Sequence, residues 1–333
     1  MEHRGQQYKF VVAGGGGVYD FVYRDIDRLE YAVLDRELSL PKPARLARRV
    51  HLSRQINRFF PLPLRGVWGK LRIRQWAQKL EAMGLPERPP CFILFADMIP
   101  FERFGLSREI RKKFPQAKIV YFFQDLVMHD ENKRELIQNT VADRIVTYDR
   151  GDAERYHLDY HNVPYSRLRE EYPMQQEEYD VCFVGKAKER LPQILEAYRY
   201  LSAQGLRCDF YVTEAPEEGR QYADRIHYCA PMPYSDLLQK VARSRCILEI
   251  VQQGSSGNTL RINEAVEFNK MVITNNTCLH QNELYDPRYM FSYSEIQDLD
   301  CKALQQVKEV QYKTRDLLSV EKFLEDIAAL LEP

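Results

Sequence analysis

Three groups of residues in the second half of this sequence have the chemistry of a polyphosphate site. The loop Gly185-Lys186-Ala187-Lys188-Glu189-Arg190 follows an apolar run, Val181 to Val184. Its cations can pair with a diphosphate, Arg190 through two parallel hydrogen bonds. The Gly-rich turn Gln253-Gly254-Ser255-Ser256-Gly257-Asn258-Thr259 lies between a second apolar run and an amphipathic segment starting at Leu260. Converging backbone N–H groups and a helix N-terminus there favour an anion. The turn has neither the lysine of a P-loop nor the spacing of a dinucleotide fingerprint, which argues against an ATPase or a dehydrogenase. Third, Arg261, Glu264 and Glu267 stand at i, i+3 and i+6, with the first two on one face near the helix start. Glu264 is placed to take both hydroxyls of a ribose. Each group alone has a plainer reading, as a solvated basic turn, a flexible connection and a solvated helix face. Their occurrence in sequence on one sheet favours a nucleotide.

These residues require strands that end where the loops begin. Apolar β-rich runs recur at Tyr8 to Ala13, Cys91 to Ala96, Ile119 to Phe123 and Arg144 to Tyr148, the pattern of a parallel sheet covered by helices. The charged stretch Arg167 to Glu178 interrupts it and predicts the domain boundary, dividing the chain into 1–168 and 169–333. Beyond it the rhythm restarts: strand Tyr179 to Val184, helix Leu191 to Gln204, strand Cys208 to Val212, a helix Asp236 to Ala242 capped by Ser235, strand Cys246 to Val251, helix Leu260 to Phe268 and strand Met271 to Thr274. The expected fold class is α/β, with two Rossmann-like doubly wound domains facing a central cleft.

Composition bounds the function. The chain of 333 residues, 44% hydrophobic, is long enough for two α/β cores, and its 48 basic and 48 acidic side chains give no global attraction to a polyanion. No apolar run approaches the roughly 20 residues of a spanning helix, and the first residues lack the layout of a signal peptide. The seven cysteines are scattered among apolar residues without a CxxC, and no histidine pair has ligand spacing. Reduced core thiols in a cytoplasmic protein, and no structural metal, are expected.

The second half resembles the C-terminal domain of GT-B glycosyltransferases, notably bacterial enzymes of capsule, exopolysaccharide and lipopolysaccharide synthesis. The likeness rests on Phe183-Val184-Gly185-Lys186, on Tyr234-Ser235-Asp236-Leu237-Leu238 before Ser244-Arg245-Cys246-Ile247-Leu248-Glu249-Ile250, and on Arg261-Ile262-Asn263-Glu264-Ala265 before Asn269-Lys270-Met271-Val272-Ile273-Thr274-Asn275-Asn276. It covers residues 179 to 280. The resemblance implies a metal-independent sugar transferase whose co-substrate is a nucleotide-sugar donor, with no further cofactor. By position, Lys186 and Arg190 hold the donor phosphates, Tyr228 lies beside the base, Glu264 grips the ribose, and Gly254, Ser255, Ser256, Gly257 and Asn258 face the sugar and diphosphate, with Arg261 beside them. Many retaining members carry two glutamates eight positions apart; here Ser256 stands eight before Glu264, so both stereochemical outcomes stay open.

An inverting reaction needs a general base from the first domain. Asp20, Asp97 and Asp125 follow strands there, Asp97 after the most apolar one, although an aspartate after a strand is also a common cap or turn residue. Gly14 to Gly17 let the backbone approach a neighbour closely or make a tight turn. From Lys42 to Lys79 there are eleven Lys or Arg and no Asp or Glu, interleaved with Phe59, Phe60, Trp68 and Trp76. This basic insertion reads as a peripheral surface for anionic lipid on the inner face of the cytoplasmic membrane, with a simple charge-balancing insertion as the alternative. Nucleic acid is not an expected partner, since no nucleic-acid-binding signature surrounds the segment. The acceptor expected is a glycan or lipid-linked precursor of the cell envelope; the competing role is a non-catalytic relative that scaffolds an envelope complex.

Overall fold

A computed structural model describes residues 7–332 apart from 37–39, 61, 174 and 253–255. Strands β1 (Lys9–Ala13), β2 (Ala32–Asp35), β3 (Pro90–Phe95), β4 (Lys118–Phe123), β5 (Arg144–Thr147) and β6 (Asp159–Tyr160) form one parallel sheet in the order β2-β1-β3-β4-β5-β6. Strands β7 (Tyr179–Lys186), β8 (Cys208–Thr213), β9 (His227–Cys229), β10 (Ser244–Glu249), β11 (Met271–Thr274) and β12 (Met290–Ser292) form a second, in the order β12-β11-β10-β7-β8-β9. The central strands have apolar middles because helices cover both faces; Phe92, Ile93, Leu94 and Ile119 to Phe123 have no exposed surface. The expected α/β class and pair of Rossmann-like sheets are what is observed.

Strand order fixes where a ligand can enter. In the first sheet the chain reverses direction between β1 and β3, and in the second between β7 and β10. Loops leaving neighbouring strands there turn opposite ways and open a crevice at the carboxyl edge.

The chain divides into one unit that runs to Asn162 and resumes at Val320, and another of Val163–Ser319. The division thus falls at 162/163 and not at 168/169, and the end of the chain belongs to the first unit. The charged stretch after residue 166 is held inside the second unit by hydrogen bonds, for example from Arg169 N–H to Glu267 Oε1 at 3.0 Å. The C-terminal helix Val320–Leu330 buries Phe323, Leu324 and Ile327 in the first unit's core. In the second unit the helix Leu191–Ala203 starts with Pro192 in its first turn and buries Ile194, Leu195, Tyr198 and Leu201, the spacing of one helix face. The helix assigned to a Ser235 cap instead begins at Tyr234 with Pro233 at the cap position. Proline pre-sets the entry dihedral, and the Ser235 hydroxyl turns to Asp236. No helix among the described residues is long and apolar enough to cross a membrane.

Candidate functional site

At the reversal point of the second sheet a single side chain joins the two strand ends. Arg190, closing the 3-10 turn Lys188–Arg190, donates from Nη1 to the Ile250 carbonyl and from Nη2 to the Lys186 carbonyl at 2.8 Å. Its Nε is buried without a hydrogen-bond partner among the described residues. Burial pushes the guanidinium pKa down, while Glu189 and Glu249 favour its charge. Lys186 is half-exposed and pairs with Glu214 at 2.7 Å. The crevice edge therefore carries a part-buried guanidinium, Arg190, and an exposed ammonium, Lys186.

Glu249, the last residue of β10, is a buried carboxylate beside the turn that sequence reasoning missed. Its buried carboxylate accepts from Thr259 Oγ1 at 2.6 Å, Thr259 N–H at 3.2 Å and Thr274 Oγ1 at 2.6 Å. Thr259 in turn caps the helix Leu260–Phe268, accepting from Arg261 N–H at 3.1 Å. Burial raises the Glu249 pKa and the threonine hydrogen bonds lower it. The available signal was a lone acid within the apolar run Cys246 to Val251.

In the turn between them, Gly254 and Ser255 lie outside the described residues. Ser256 is half-buried, and the buried Gly257 offers its carbonyl to Asn276 Nδ2 at 3.5 Å. Asn258 is buried, and neither Oδ1 nor Nδ2 has a partner among the described residues. An unpaired buried amide costs about 1–3 kcal/mol, so such a group marks a place where a ligand or water bonds.

Glu264 has no exposed surface. Its Oε1 accepts from Tyr234 OH at 2.6 Å, Tyr234 OH meets Tyr165 OH at 2.8 Å, and Oε2 is paired with Arg261 Nη1. Burial raises its pKa; Arg261 and Tyr234 pull it back down. With both oxygens engaged, the ribose contact expected of Glu264 is not available in this arrangement. The accessible end of the pair is Arg261, whose side chain is 18% exposed. Glu267 points to a different task, accepting from Arg315 Nε and Nη2 at 2.7 Å each. Tyr228 stands on β9, at the sheet edge beyond β7 and β8, with its hydroxyl donating to the Gln221 carbonyl at 2.6 Å. Lys186, Arg190 and the turn thus share the reversal point, whereas Tyr228 is two strands away from β7.

At the reversal point of the first sheet, Gly14 to Gly17 all adopt positive φ, from 61° to 143°. The reason at Gly14 is a neighbour: an added Cβ would lie 2.1 Å from Asp97 Oδ1. The next residue, Gly15, donates its N–H to Asp97 Oδ2 at 2.9 Å. Asp97 is open to solvent yet lies in a recess crowded by protein; desolvation pushes its carboxyl pKa up, against the Gly15 N–H and the charges of Arg72 and Arg48. Burial pushes the Tyr19 pKa up, and the charges of Asp125, Tyr148 and Asp97 add to the rise. Asp20 is instead paired with Arg36 at 3.3 Å. Asp125 is exposed, and its carbonyl accepts from Lys133 Nζ at 2.8 Å.

The basic segment folds as helices Lys42–Leu52, Arg54–Phe59 and Val67–Ala82. Trp76 is not an interfacial aromatic, since it is fully buried and donates to Asp35 Oδ2 at 2.5 Å. Arg72 and Lys79 reach the same carboxylate at 2.7 and 2.5 Å; these three contacts fasten the long helix to the end of β2. Trp68 is half-buried and donates to His51 Nδ1 at 3.0 Å. Phe59 and Phe60 are each 72% exposed, with Leu46 and Leu64 also exposed.

No protein-family model matches the chain, and no curated protein matches it in sequence. Solved structures match in fold. The apo structure of OtsA is 11% identical over 97% of this chain and 99% of that one, with a TM-score of 0.56. A UDP-forming α,α-trehalose-phosphate synthase from Burkholderia xenovorans is 11% identical over 97% and 95%, with a TM-score of 0.51. Such identity carries the fold alone, and the fold, two parallel α/β sheets with their reversal points, is that of the GT-B glycosyltransferases.

Proposed function

We propose that the protein is a glycosyltransferase that takes a sugar from a nucleotide diphosphate bound at the carboxyl edge of the second sheet. The observation that carries this reading is the pair of orphaned buried groups, Arg190 Nε and Asn258, at the β7/β10 reversal point. A neighbour in fold is UDP-forming by name, which supports a uridine nucleotide among the donors. In the reaction the acceptor hydroxyl oxygen bonds to the anomeric carbon and the bond from that carbon to the phosphate oxygen breaks. The electron pair leaves on the diphosphate, and the acceptor proton passes to a carboxylate of the first unit, for which Asp97 is our choice. Lys186, Arg190 and the N-terminus of the Leu260–Phe268 helix meet the leaving charge, so this reading assigns no step to a metal. Arg261, held by Glu264, reaches toward the donor in the place first given to the carboxylate itself. We further propose that the acceptor is a lipid-linked or polysaccharide precursor of the cell envelope, approached through the exposed Phe59 and Phe60 among the cations of 42–79.

A thermal-shift panel of UDP, GDP, CMP and their sugars tests the donor. A ligand at a hundred times its Kd adds about 2.7 kcal/mol to the folded state. At least one nucleotide should raise Tm, and Lys186→Ala, a half-exposed site, should shrink the rise. No shift with any nucleotide at millimolar concentration overturns the donor assignment and favours the scaffold reading, to which the sealed Glu264 carboxylate belongs.

A further inference from the structure

Within the first unit, at the carboxyl ends of β1 and β3, lies a recess of about 670 Å³ whose lining includes Gly15, Arg45, Arg48, Arg49, Arg72 and Asp97. We infer that this recess binds the phosphate or diphosphate of a phosphorylated acceptor, on the four arginines, with Asp97 beside the hydroxyl that reacts. Calling the ligand an acceptor rests on the sugar-transfer reading; the phosphate site itself does not.

Three observations converge on it. Arg45, Arg48 and Arg49 fall at i, i+3 and i+4 of the helix Lys42–Leu52, so one face presents all three. Arg72 enters from a different helix and is 2% exposed; its Nη1 is spent on Asp35 and on the Arg36 carbonyl, while its Nε has no partner among the described residues. An orphaned guanidinium N–H in a cation-lined cavity has an anion as its natural partner. Finally, among the described residues that line the recess there are four arginines and one carboxylate, Asp97, while Asp35 belongs to Arg72, Trp76 and Lys79. Burial and the charge of Arg72 push the Arg48 pKa down, and Asp97 opposes them. A bound anion would relieve that crowding. Arginine forks suit the oxygens of a phosphate group, and the volume is that of a small-molecule site.

Titration calorimetry of the full chain with inorganic pyrophosphate, at low ionic strength, tests the proposal. Arg45→Gln/Arg49→Gln changes two exposed residues, and circular dichroism verifies its fold; the loss of two charge-assisted contacts should weaken pyrophosphate by about tenfold or more. Equal affinity in wild type and double variant overturns the site. So does a loss seen with Lys186→Ala but not with the arginine pair, because it puts the anion in the second unit. The source of the phosphate is read from competition. Displacement of pyrophosphate by vesicles of phosphatidylcholine with phosphatidic acid indicates a lipid-borne group. Displacement by a soluble hexose phosphate, and not by vesicles, indicates a free one. The nucleotide thermal shift should be the same in the double variant and wild type. Were no nucleotide to shift even the wild type, the transfer reading would fall while pyrophosphate binding continued to decide the recess.

Discussion

Asp97, proposed above as the proton acceptor, has surroundings that fit the role. It is solvent-reachable, held in orientation by the Gly15 N–H, and raised in pKa by partial burial, which moves a carboxylate toward the range where it takes a proton readily. Asp97→Asn should therefore cost about 10²–10⁴ in turnover, while the Asn oxygen can still accept from Gly15. The wild-type rate should rise with pH through the raised Asp97 pKa and then level off. Stability gives a second readout with a definite sign. A carboxyl whose pKa is higher folded than unfolded binds more protons in the folded state across that interval, so wild-type stability falls as pH rises through it. The variant lacks this loss, and its Tm should gain on wild type from the ordinary carboxylate range up to the raised value. Unchanged turnover in Asp97→Asn would remove the base assignment. At this scale the sequence was legible for a residue's place at a strand end, as for Asp97, Lys186 and Arg190. It was not legible where role depends on what lies opposite in space. Glu264 reads as an exposed helix acid until Tyr234 and Arg261 close over it, and Glu249 as strand interior until Thr259 and Thr274 meet it.

Elements with one strong periodicity were readable, as the helix Leu260–Phe268 shows, its bounds set by Thr259 and by Asn269 in the left-handed region. The segment 42–79 was not, because its basic residues serve two different surfaces. Arg72 and Lys79 turn inward to a buried aspartate and Trp76 follows them, whereas Phe59 and Phe60 remain in solvent. Charge composition alone does not separate these. The exposed aromatics and the surrounding cations are complementary to an anionic bilayer, where apolar rings enter the interface and cations meet headgroups. Phe59→Ser/Phe60→Ser should leave the fold intact, since neither ring is in a core, and should weaken sedimentation with phosphatidylserine vesicles roughly tenfold or more, each ring giving up an appreciable part of the about 1.5–3 kcal/mol of full burial. Raising salt should weaken both proteins through the shared cations. Vesicle binding that the double variant retains in full would refute the membrane contact.

The two sheets were foreseeable because buried parallel strands announce themselves as apolar runs. The short edge strands β2, β6, β9 and β12 do not, being two to four residues long. The unit boundary was legible only approximately: a charged stretch marks a pause in the pattern, but a chain that leaves one unit can return to it. Here the return is the helix Val320–Leu330, an amphipathic segment whose destination the sequence cannot reveal. Phe323 fixes that destination. It has no exposed surface, and its ring lies 5.2 Å from Phe122, 6.1 Å from Tyr23 and 5.1 Å from His161, all in the first unit. Replacing a buried phenylalanine by alanine removes its transfer free energy and leaves a cavity, a loss of about 3–5 kcal/mol. Each unit has its own hydrophobic core, so the loss should fall on the unit that holds Phe122 and Tyr23, although residue 323 is distant from them in sequence. Limited proteolysis of Phe323→Ala should accordingly place the new early cuts before residue 162, with 163–319 persisting as the resistant fragment. Early cuts confined to 163–319 would mean that the C-terminal helix stabilises the second unit instead.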